Sequence, residues 1–374
     1  MNVFVDGIVF GRQRFGGISR VWAKYIEGLL ASGVSMRLLI PIIHSNSILR
    51  GLLQGIASRD VRRDCFYWPA RWFDNPRLRS AILRSVYVPE GVEIFHSTYL
   101  STVYDRRLKN VVTIHDMIPE IFQDEFGNRW LEKLIRLKAD VLRNADRVTC
   151  VSATTKDDLL RHHPWLPEEN VAVVPNGFSR DDFMSDVPFD SVAARYGLRI
   201  RPHEYFMFVG RRDGYKNFEA LVRLVSLFPR WRESVFVCVG GEEDRAVRQR
   251  IDRAGLGRNF IFVEYLADHE LGVLYRNSLA LVNPSLYEGF SLPLVEAMGC
   301  DCLVVCSDTP SLRETAGDAG VYFDPRTPDS LDEALGRILT ADRHALIQKG
   351  KARAGKYSWE ATVHGILDVY RGLV

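Results

Sequence analysis

The sequence has 374 residues, of which 47% are hydrophobic and 26% are charged, and its formal net charge is +2. This composition is typical of a globular protein with about two domains, and the small net charge argues against a dedicated nucleic-acid binder. No apolar run reaches the roughly 18 residues of a membrane-spanning helix. The first residues lack the basic start and the cleavage site of a signal peptide, so we expect a cytoplasmic protein.

The first half of the chain alternates strand-like apolar runs with amphipathic segments, which predicts a parallel sheet with helices on both faces. The first strand, in NVFVDGIVF, is followed by a loop with Gly16 and Gly17 and by a helix that begins near Arg20. Glycines in such a loop let the backbone approach a ligand closely. A later helix is predicted to have one apolar face, formed by Trp130, Leu131, Leu134, Leu137, Val141 and Leu142.

The segment from Arg50 to Arg84 is the most basic part of the chain, with eight arginines against three aspartates. It also contains the aromatic run Phe66, Tyr67, Trp68, Trp72 and Phe73. Residues 1–180 carry 25 Lys and Arg against 19 Asp and Glu, whereas residues 181–374 carry 24 against 28. A solvated basic face and a surface for an anionic lipid or a membrane-borne substrate both explain this pattern.

His115 and Asp116 directly follow the apolar run VVTI. This places them at the carboxyl end of a predicted strand, where open α/β sheets bind their ligands. A lone histidine is more often structural than catalytic. At a strand end that faces a cleft, however, the better hypothesis is that His115 makes a polar contact with a reacting group.

A segment rich in turn residues and charges, residues 175–202, interrupts the alternating pattern before a second series of strand-like runs begins. Two such series predict two doubly wound α/β domains, with the ligand in the cleft between them. The first domain is predicted to cover residues 1–176 and the second residues 177–357.

The second series begins with YFMFVGRRDGYKNF, in which Gly210 and Arg211 end a predicted strand. Lys216 and Asn217 follow just before a helix. A guanidinium group and an ammonium group beside a helix N-terminus are suited to a diphosphate. A basic surface turn would also explain the charges, but not the glycine at the strand end.

The stretch SLYEGFSLPLVEAMG contains two glutamates, Glu288 and Glu296. Pro293 suits the first turn of a helix, so the backbone N–H groups of Gly289, Phe290, Ser291 and Leu292 are expected at its N-terminus. Glu288 then precedes the helix and Glu296 lies about one turn inside it. Nearby, Cys300, Cys302 and Cys306 lack the spacing of a metal site, and CLVVC alternates like a buried strand.

These motifs resemble the large glycosyltransferase family 4, whose members are retaining enzymes of the GT-B fold. The resemblance covers nearly the whole chain: FGGISR, VTIHDMIPE, VTCVSATTKDDL, VVPNGF, VGRRDGYKNF and EGFSLPLVE match family motifs in order. The chain departs from the family after Met298, where Asp301 and Leu303 replace the glycine and the proline of a Cys-Gly-x-Pro pattern.

The resemblance implies roles for individual residues. His115, Arg211, Lys216 and Glu288 would be catalytic, with Arg211 and Lys216 neutralising the diphosphate of a nucleotide sugar and His115 contacting the sugar near the reacting carbon. The other donor-binding residues would be Gly17, Gly210, Leu266, Gly289, Phe290, Ser291, Leu292 and Glu296. Glu296 would bind the ribose hydroxyls and Leu266 would border the base. The C-terminal segment, residues 358–374, would cross back to the first domain.

The expected reaction is therefore transfer of a hexose, with mannose as the first choice, from a GDP- or UDP-linked donor to a glycan or lipid-linked glycan of a bacterial surface polysaccharide. Neither a cofactor nor a divalent metal is expected, and the basic N-terminal domain would allow peripheral contact with the inner face of the membrane. Two alternatives remain, a nucleotide-sugar epimerase or hydrolase of the same fold and a catalytically silent nucleotide-sugar-binding partner. A glycosidase leaves Arg211 and Lys216 without a role, because it needs only carboxylates that flank the scissile bond. The sequence also lacks the G-x-G-x-x-G of a nicotinamide dehydrogenase after its first strand and the P-loop of a kinase.

Overall fold

A computed structural model describes residues 1–12, 16–41, 61–66, 91–105, 107–126, 129–212, 214–241 and 245–374. The chain forms two compact units: unit 1 comprises Met1–Gly177 and Trp359–Val374, and unit 2 comprises Phe178–Ser358. The boundaries expected from the sequence lie one residue from these. Most of the basic aromatic stretch at residues 50–84 lies outside the described residues, which include only the backbone of 61–66 there.

Unit 1 is built on a sheet of seven strands in the order β3-β2-β1-β4-β5-β6-β7. All neighbouring strands are parallel, and the reversal of order beside β1 is that of a doubly wound fold. The strands are β1 (Asn2–Val5), β2 (Ser35–Pro41), β3 (Val61–Phe66), β4 (Ile94–Ser97), β5 (Lys109–Ile114), β6 (Arg147–Cys150) and β7 (Val171–Val173).

The described helices of unit 1 are α1 (Ile8–Arg12), α2 (Gly17–Ala31), α3 (Ile118–Ile121), α4 (Gln123–Phe126), α5 (Arg129–Arg143), α6 (Ala153–His162) and, from the C-terminal segment, α16 (Trp359–Arg371). The predicted apolar face of α5 is wrong at one end, because Trp130 is 51% exposed. Lys138 is buried in that face: its position four residues from both Leu134 and Leu142 places it there, although its charge favours solvent.

Unit 2 has a sheet of six parallel strands in the order β10-β9-β8-β11-β12-β13. The same reversal beside its first strand, β8, makes this unit doubly wound as well. Its strands are β8 (Tyr205–Val209), β9 (Val235–Val239), β10 (Phe260–Val263), β11 (Leu281–Asn283), β12 (Val304–Ser307) and β13 (Gly320–Phe323). The expectation of two doubly wound α/β domains is thus confirmed.

The α-helices described in unit 2 are α7 (Arg180–Phe183), α8 (Phe189–Arg195), α9 (Glu219–Leu227), α10 (Arg245–Arg253), α11 (Asp268–Arg276), α12 (Leu292–Gly299), α13 (Pro310–Ala316), α14 (Pro328–Thr340) and α15 (Arg343–Ala354). Their apolar faces and the strands enclose a core rich in aromatic residues, including Phe206, Phe218 and Phe236. Cys300, Cys302 and Cys306 are buried free thiols. Among the described residues, no helix combines the length and the apolar character needed to cross a bilayer.

Candidate active site

The two polar clusters predicted in unit 2 meet in one ion pair. Lys216 follows β8 and Glu288 follows β11, which is the neighbour of β8 in the sheet. The Nζ atom of Lys216 donates to Oε1 of Glu288 at 2.6 Å, and these side chains are only 13% and 10% exposed. The hydroxyl of Ser285 donates to the same Oε1 at 2.8 Å. The carboxyl ends of two adjacent strands thus bring together motifs that lie far apart in the sequence.

Gly210 lies beside this lysine and has a backbone conformation that favours glycine. Its φ is +141°. A Cβ atom at this position would lie 3.4 Å from Cε of Lys216, which is van der Waals contact. A side chain here would therefore strain the backbone at the end of β8, just before Arg211.

Arg211 and Arg212 point to different surroundings. Arg211 is exposed, whereas Arg212 is buried. The guanidinium group of Arg212 donates to the carbonyls of Gly240 and Gly241 at 2.7 and 2.9 Å and lies over the ring of Phe262. Arg212 therefore ties the loop after β9 to the loop that carries Arg211. This role was not predicted from the sequence, although the pair Gly240–Gly241 directly after an apolar run was a usable signal.

The segment between Glu288 and α12 is held from several sides. The side chain of Phe290 packs edge-on against Tyr357, with ring centroids 5.1 Å apart, and its carbonyl accepts a bond from Thr315. Ser291 has a left-handed backbone, with φ of +75°, and its Oγ accepts a bond from Asn283 at 2.9 Å. Leu292 begins the helix, with a proline in its first turn as predicted. The first turn of a helix presents N–H groups without helical partners.

Glu296 and Leu266 occupy separate places in unit 2. Glu296 lies inside α12 and is buried, and the hydroxyl of Tyr275 donates to its Oε2 at 3.4 Å. Leu266 is buried in the loop between β10 and α11. The two glutamates thus offer carboxylates in two different environments.

The two candidate residues of unit 1 are Gly17, which comes after the short helix α1, and His115, which comes after strand β5. Gly17 is the first residue of α2, and Gly16 before it has extended backbone. His115 directly follows β5 and is half-buried. Its Nε2 atom is buried and has no hydrogen-bond partner among the described residues. Burial lowers the pKa of His115 to about 4, so its imidazole is neutral at neutral pH.

Asp6 is a second polar residue at a strand end of unit 1, and it was not predicted from the sequence. It directly follows β1, is fully buried, and accepts bonds from the backbone N–H groups of Ile8 and Thr98 at 3.2 and 2.9 Å. The hydroxyls of Thr98 and Ser101 also donate to it. Burial raises the pKa of Asp6 despite these bonds. Asp6 therefore joins the loops after β1 and β4, and an acidic residue directly after the first apolar run was its sequence signal.

Two family models of glycosyltransferases match the chain, and so does a curated relative. The family model described as Glycosyltransferase Family 4 matches residues 15–182, and the one described as Glycosyl transferases group 1 matches residues 198–353. The chain is 26% identical to the O-antigen chain mannosyltransferase B of Escherichia coli over 93% of this chain and 92% of that protein.

Solved structures share the fold. Sucrose-phosphate synthase from Thermosynechococcus elongatus superposes with a TM-score of 0.77 at 21% identity, over 100% of this chain and 99% of that one. HepE of Anabaena, solved in complex with UDP-glucose, superposes with a TM-score of 0.75 at 16% identity over 100% of both chains.

Proposed function

The chain is a glycosyltransferase of family 4 with the GT-B fold, because the two family models together match residues 15–182 and 198–353, and we propose that it moves a hexose from a nucleoside-diphosphate sugar to a hydroxyl of a glycan. The contact between Lys216 and Glu288 carries this proposal. It joins the basic motif VGRRDGYKNF to the first glutamate of the motif EGFSLPLVE, as one donor site requires.

The leaving group of such a transfer is a nucleoside diphosphate, whose negative charge grows as the bond to the sugar breaks. In the proposed reaction Arg211 and Lys216 stabilise that charge, together with the N-terminus of α12. Preorganised charges of this kind often contribute the largest share of catalysis. Two cations at the diphosphate would allow the enzyme to work without a divalent metal, and we propose that transfer is metal-independent and retains the anomeric configuration.

The remaining residues are assigned by part of the donor. Glu288 and the backbone of Gly289 to Leu292 would hold sugar hydroxyls and the distal phosphate, and Glu296 would bind the ribose. Leu266 would border the base, and Gly210 would supply the backbone conformation that precedes Arg211. In unit 1, Gly17 would pack against the diphosphate. His115 would offer its unpartnered Nε2 to the sugar as a neutral group, which suits hydrogen bonding without adding charge.

We propose mannose as the sugar and a surface polysaccharide or its lipid-linked precursor as the acceptor. The support is the E. coli relative, which is named as an O-antigen mannosyltransferase and matches over nearly its full length. GDP is then the first choice of nucleotide and UDP, the nucleotide in the Anabaena complex, is the second.

Contact with the inner face of a membrane is a further part of the proposal. It is supported by the eight arginines and the aromatic run of residues 50–84. Arginine and tryptophan side chains combine charge with apolar contact at lipid headgroups. Sedimentation with vesicles of anionic and of neutral lipid tests this part, and equal binding to both would contradict it.

The first experiment is thermal unfolding with GDP, UDP, GDP-mannose and UDP-glucose in the presence of EDTA. At about 100-fold excess over Kd, a ligand that binds only the folded state stabilises it by about 2.7 kcal/mol. We expect one nucleotide family to raise the melting temperature of the wild type. Arg211→Ala and Glu296→Ala should lose the shift. Arg201→Ala, a matched control whose side chain is 81% exposed, should keep it.

Transfer is then measured with the stabilising donor, and NMR of the product reports its anomeric configuration. Inversion of the configuration, or a strict need for added metal, would contradict the corresponding part of the proposal. If no nucleotide shifts the wild type, the donor site is wrong. If the donor is consumed at the same rate without any acceptor, the epimerase or hydrolase alternative is favoured.

A further inference from the structure

Unit 1 contains a buried ion pair outside the site described above. The Nζ atom of Lys138, on α5, lies 2.7 Å from Oε2 of Glu120, on α3, and the two side chains are only 4% and 3% exposed. Burial raises the pKa of the Glu120 carboxyl, but His163 at 3.9 Å and the Lys138 ammonium group together lower it. The carboxylate is thus kept charged beside the ammonium group.

Lys138 also holds the turn that follows His115. Its ammonium group donates to the carbonyl of Asp116 at 3.1 Å and lies 3.6 Å from the sulfur of Met117. The carboxylate of Asp116 accepts a bond from the N–H of Ile118 at 3.1 Å. The turn between β5 and α3 is therefore fixed by a side chain from a third element.

His115 lies between two fixed points. Before it, Ile114 is paired with Cys150 in the parallel ladder of β5 and β6. After it, the Asp116 carbonyl is held by Lys138. The backbone of His115 therefore has little freedom, and its side chain direction depends on both anchors.

A buried ion pair is an inefficient way to gain stability. Removing two charges from water costs free energy that their attraction often fails to recover, and apolar residues of similar size are frequently as stable or more stable. Apolar residues, however, offer no donor to the Asp116 carbonyl. They therefore cannot impose the geometry that Lys138 imposes on the turn after His115.

We propose that Lys138, with Glu120 as its charge partner, is a positioning residue that aims His115 at the donor sugar. This inference rests on the proposed function, in which His115 contacts the sugar. A displacement of about 1 Å at a catalytic group can reduce the rate about 100-fold. Loss of Lys138 should therefore lower kcat/KM by about 10- to 100-fold.

The test is a double-mutant cycle on transfer, with wild type, Lys138→Met, His115→Ala and the combined variant. Residues that act through one another are not additive. We expect Lys138→Met to lower kcat/KM in the wild type and to change it by less than about threefold when His115 is already alanine. A purely structural lysine would lower activity by the same factor in both backgrounds.

Folding is controlled with the paired replacement Lys138→Met with Glu120→Leu, which removes the contact to Asp116 without leaving a lone buried charge. If Lys138→Met alone does not fold, this paired replacement takes its place in the double-mutant cycle. Equal losses in both backgrounds, or full activity of the folded paired variant, would overturn the proposal. If His115→Ala itself keeps full activity, the proposed role of His115 fails as well, whereas nucleotide binding by unit 2 still tests the donor site separately.

Discussion

Asp301 occupies a position where glycosyltransferase family 4 usually has a glycine. The backbone conformation at this position explains why few residue types fit there. Its φ of +62° lies in the left-handed region, which aspartate tolerates better than most residues. Its carboxylate accepts bonds from Arg180 at 3.1 and 3.0 Å and lies 3.2 Å from Lys351. The departure from the family pattern is thus compatible with the turn after α12.

Two substitutions at this position separate the backbone effect from the ion pairs. Asp301→Gly and Asp301→Ala both lose the contacts with Arg180 and Lys351. Alanine also bears the cost of a left-handed backbone, about 1–2 kcal/mol, and we expect it to be less stable than glycine by about that amount. Urea unfolding measures both variants. Equal stability of the two would show that the turn relaxes around alanine.

Two kinds of sequence signal located the site residues. His115 and Arg211 come at or just after the end of an apolar run, so their position at a strand end could be inferred, whereas Glu288 was located by the proline that starts the next helix. Lys138 and Arg212 were missed because their partners come from other elements. Lys138 meets Glu120, which lies 18 residues earlier, and periodicity does not indicate which side chains meet in space.

At the scale of elements, helices α2 and α16 are packed through a glycine. A Cβ atom on Gly28 would lie 2.3 Å from a methyl carbon of Val363. The hydroxyl of Tyr370, also on α16, lies 2.6 Å from Nδ1 of the buried His96 in β4. The C-terminal helix is therefore held by close packing and by a buried polar contact at once.

Gly28→Ala tests this packing together with Val363→Ala. Alanine favours a helix over glycine by about 1 kcal/mol, but overpacking of a core costs about 1–3 kcal/mol. We expect Gly28→Ala alone to lower the free energy of unfolding and to become stabilising when Val363 is already alanine. Chemical denaturation of the four proteins measures this coupling. The same effect of Gly28→Ala in both backgrounds would contradict the close contact.

The order of strands and helices was predictable because each element carries its own periodicity, whereas the exact partners were not. The alternation of apolar runs indicated two parallel sheets. The exposed Trp130 at the start of α5 was not predictable in the same way. Spacing places it on the apolar face, but spacing does not indicate where along a helix the covering elements end.

At the scale of the whole molecule, the two units differ in how the chain builds them. Unit 2 is one continuous segment, residues 178–358, whereas unit 1 needs residues from both ends of the chain. All the unit 2 residues assigned to the donor, from Gly210 to Glu296, lie within that continuous segment. Unit 1 without its last segment would lose α16, and with it the contacts of Gly28 with Val363 and of Tyr25 with Trp359.

Excision of the units turns this difference into a prediction. We expect residues 178–358 to fold alone with a cooperative thermal transition, because the segment has a complete sheet and its own core. We expect residues 1–177 to be unfolded or aggregated until residues 359–374 are restored through a short linker to either end. Circular dichroism and thermal unfolding measure both.

The isolated 178–358 segment should also be stabilised by the nucleotide that stabilises the whole protein, since Arg211, Lys216, Glu288 and Glu296 are all present. Folding of residues 1–177 without α16 would show that the contacts of Gly28 and His96 with α16 are dispensable. If the 178–358 segment folds but the nucleotide does not raise its melting temperature, unit 1 supplies an essential part of the donor site.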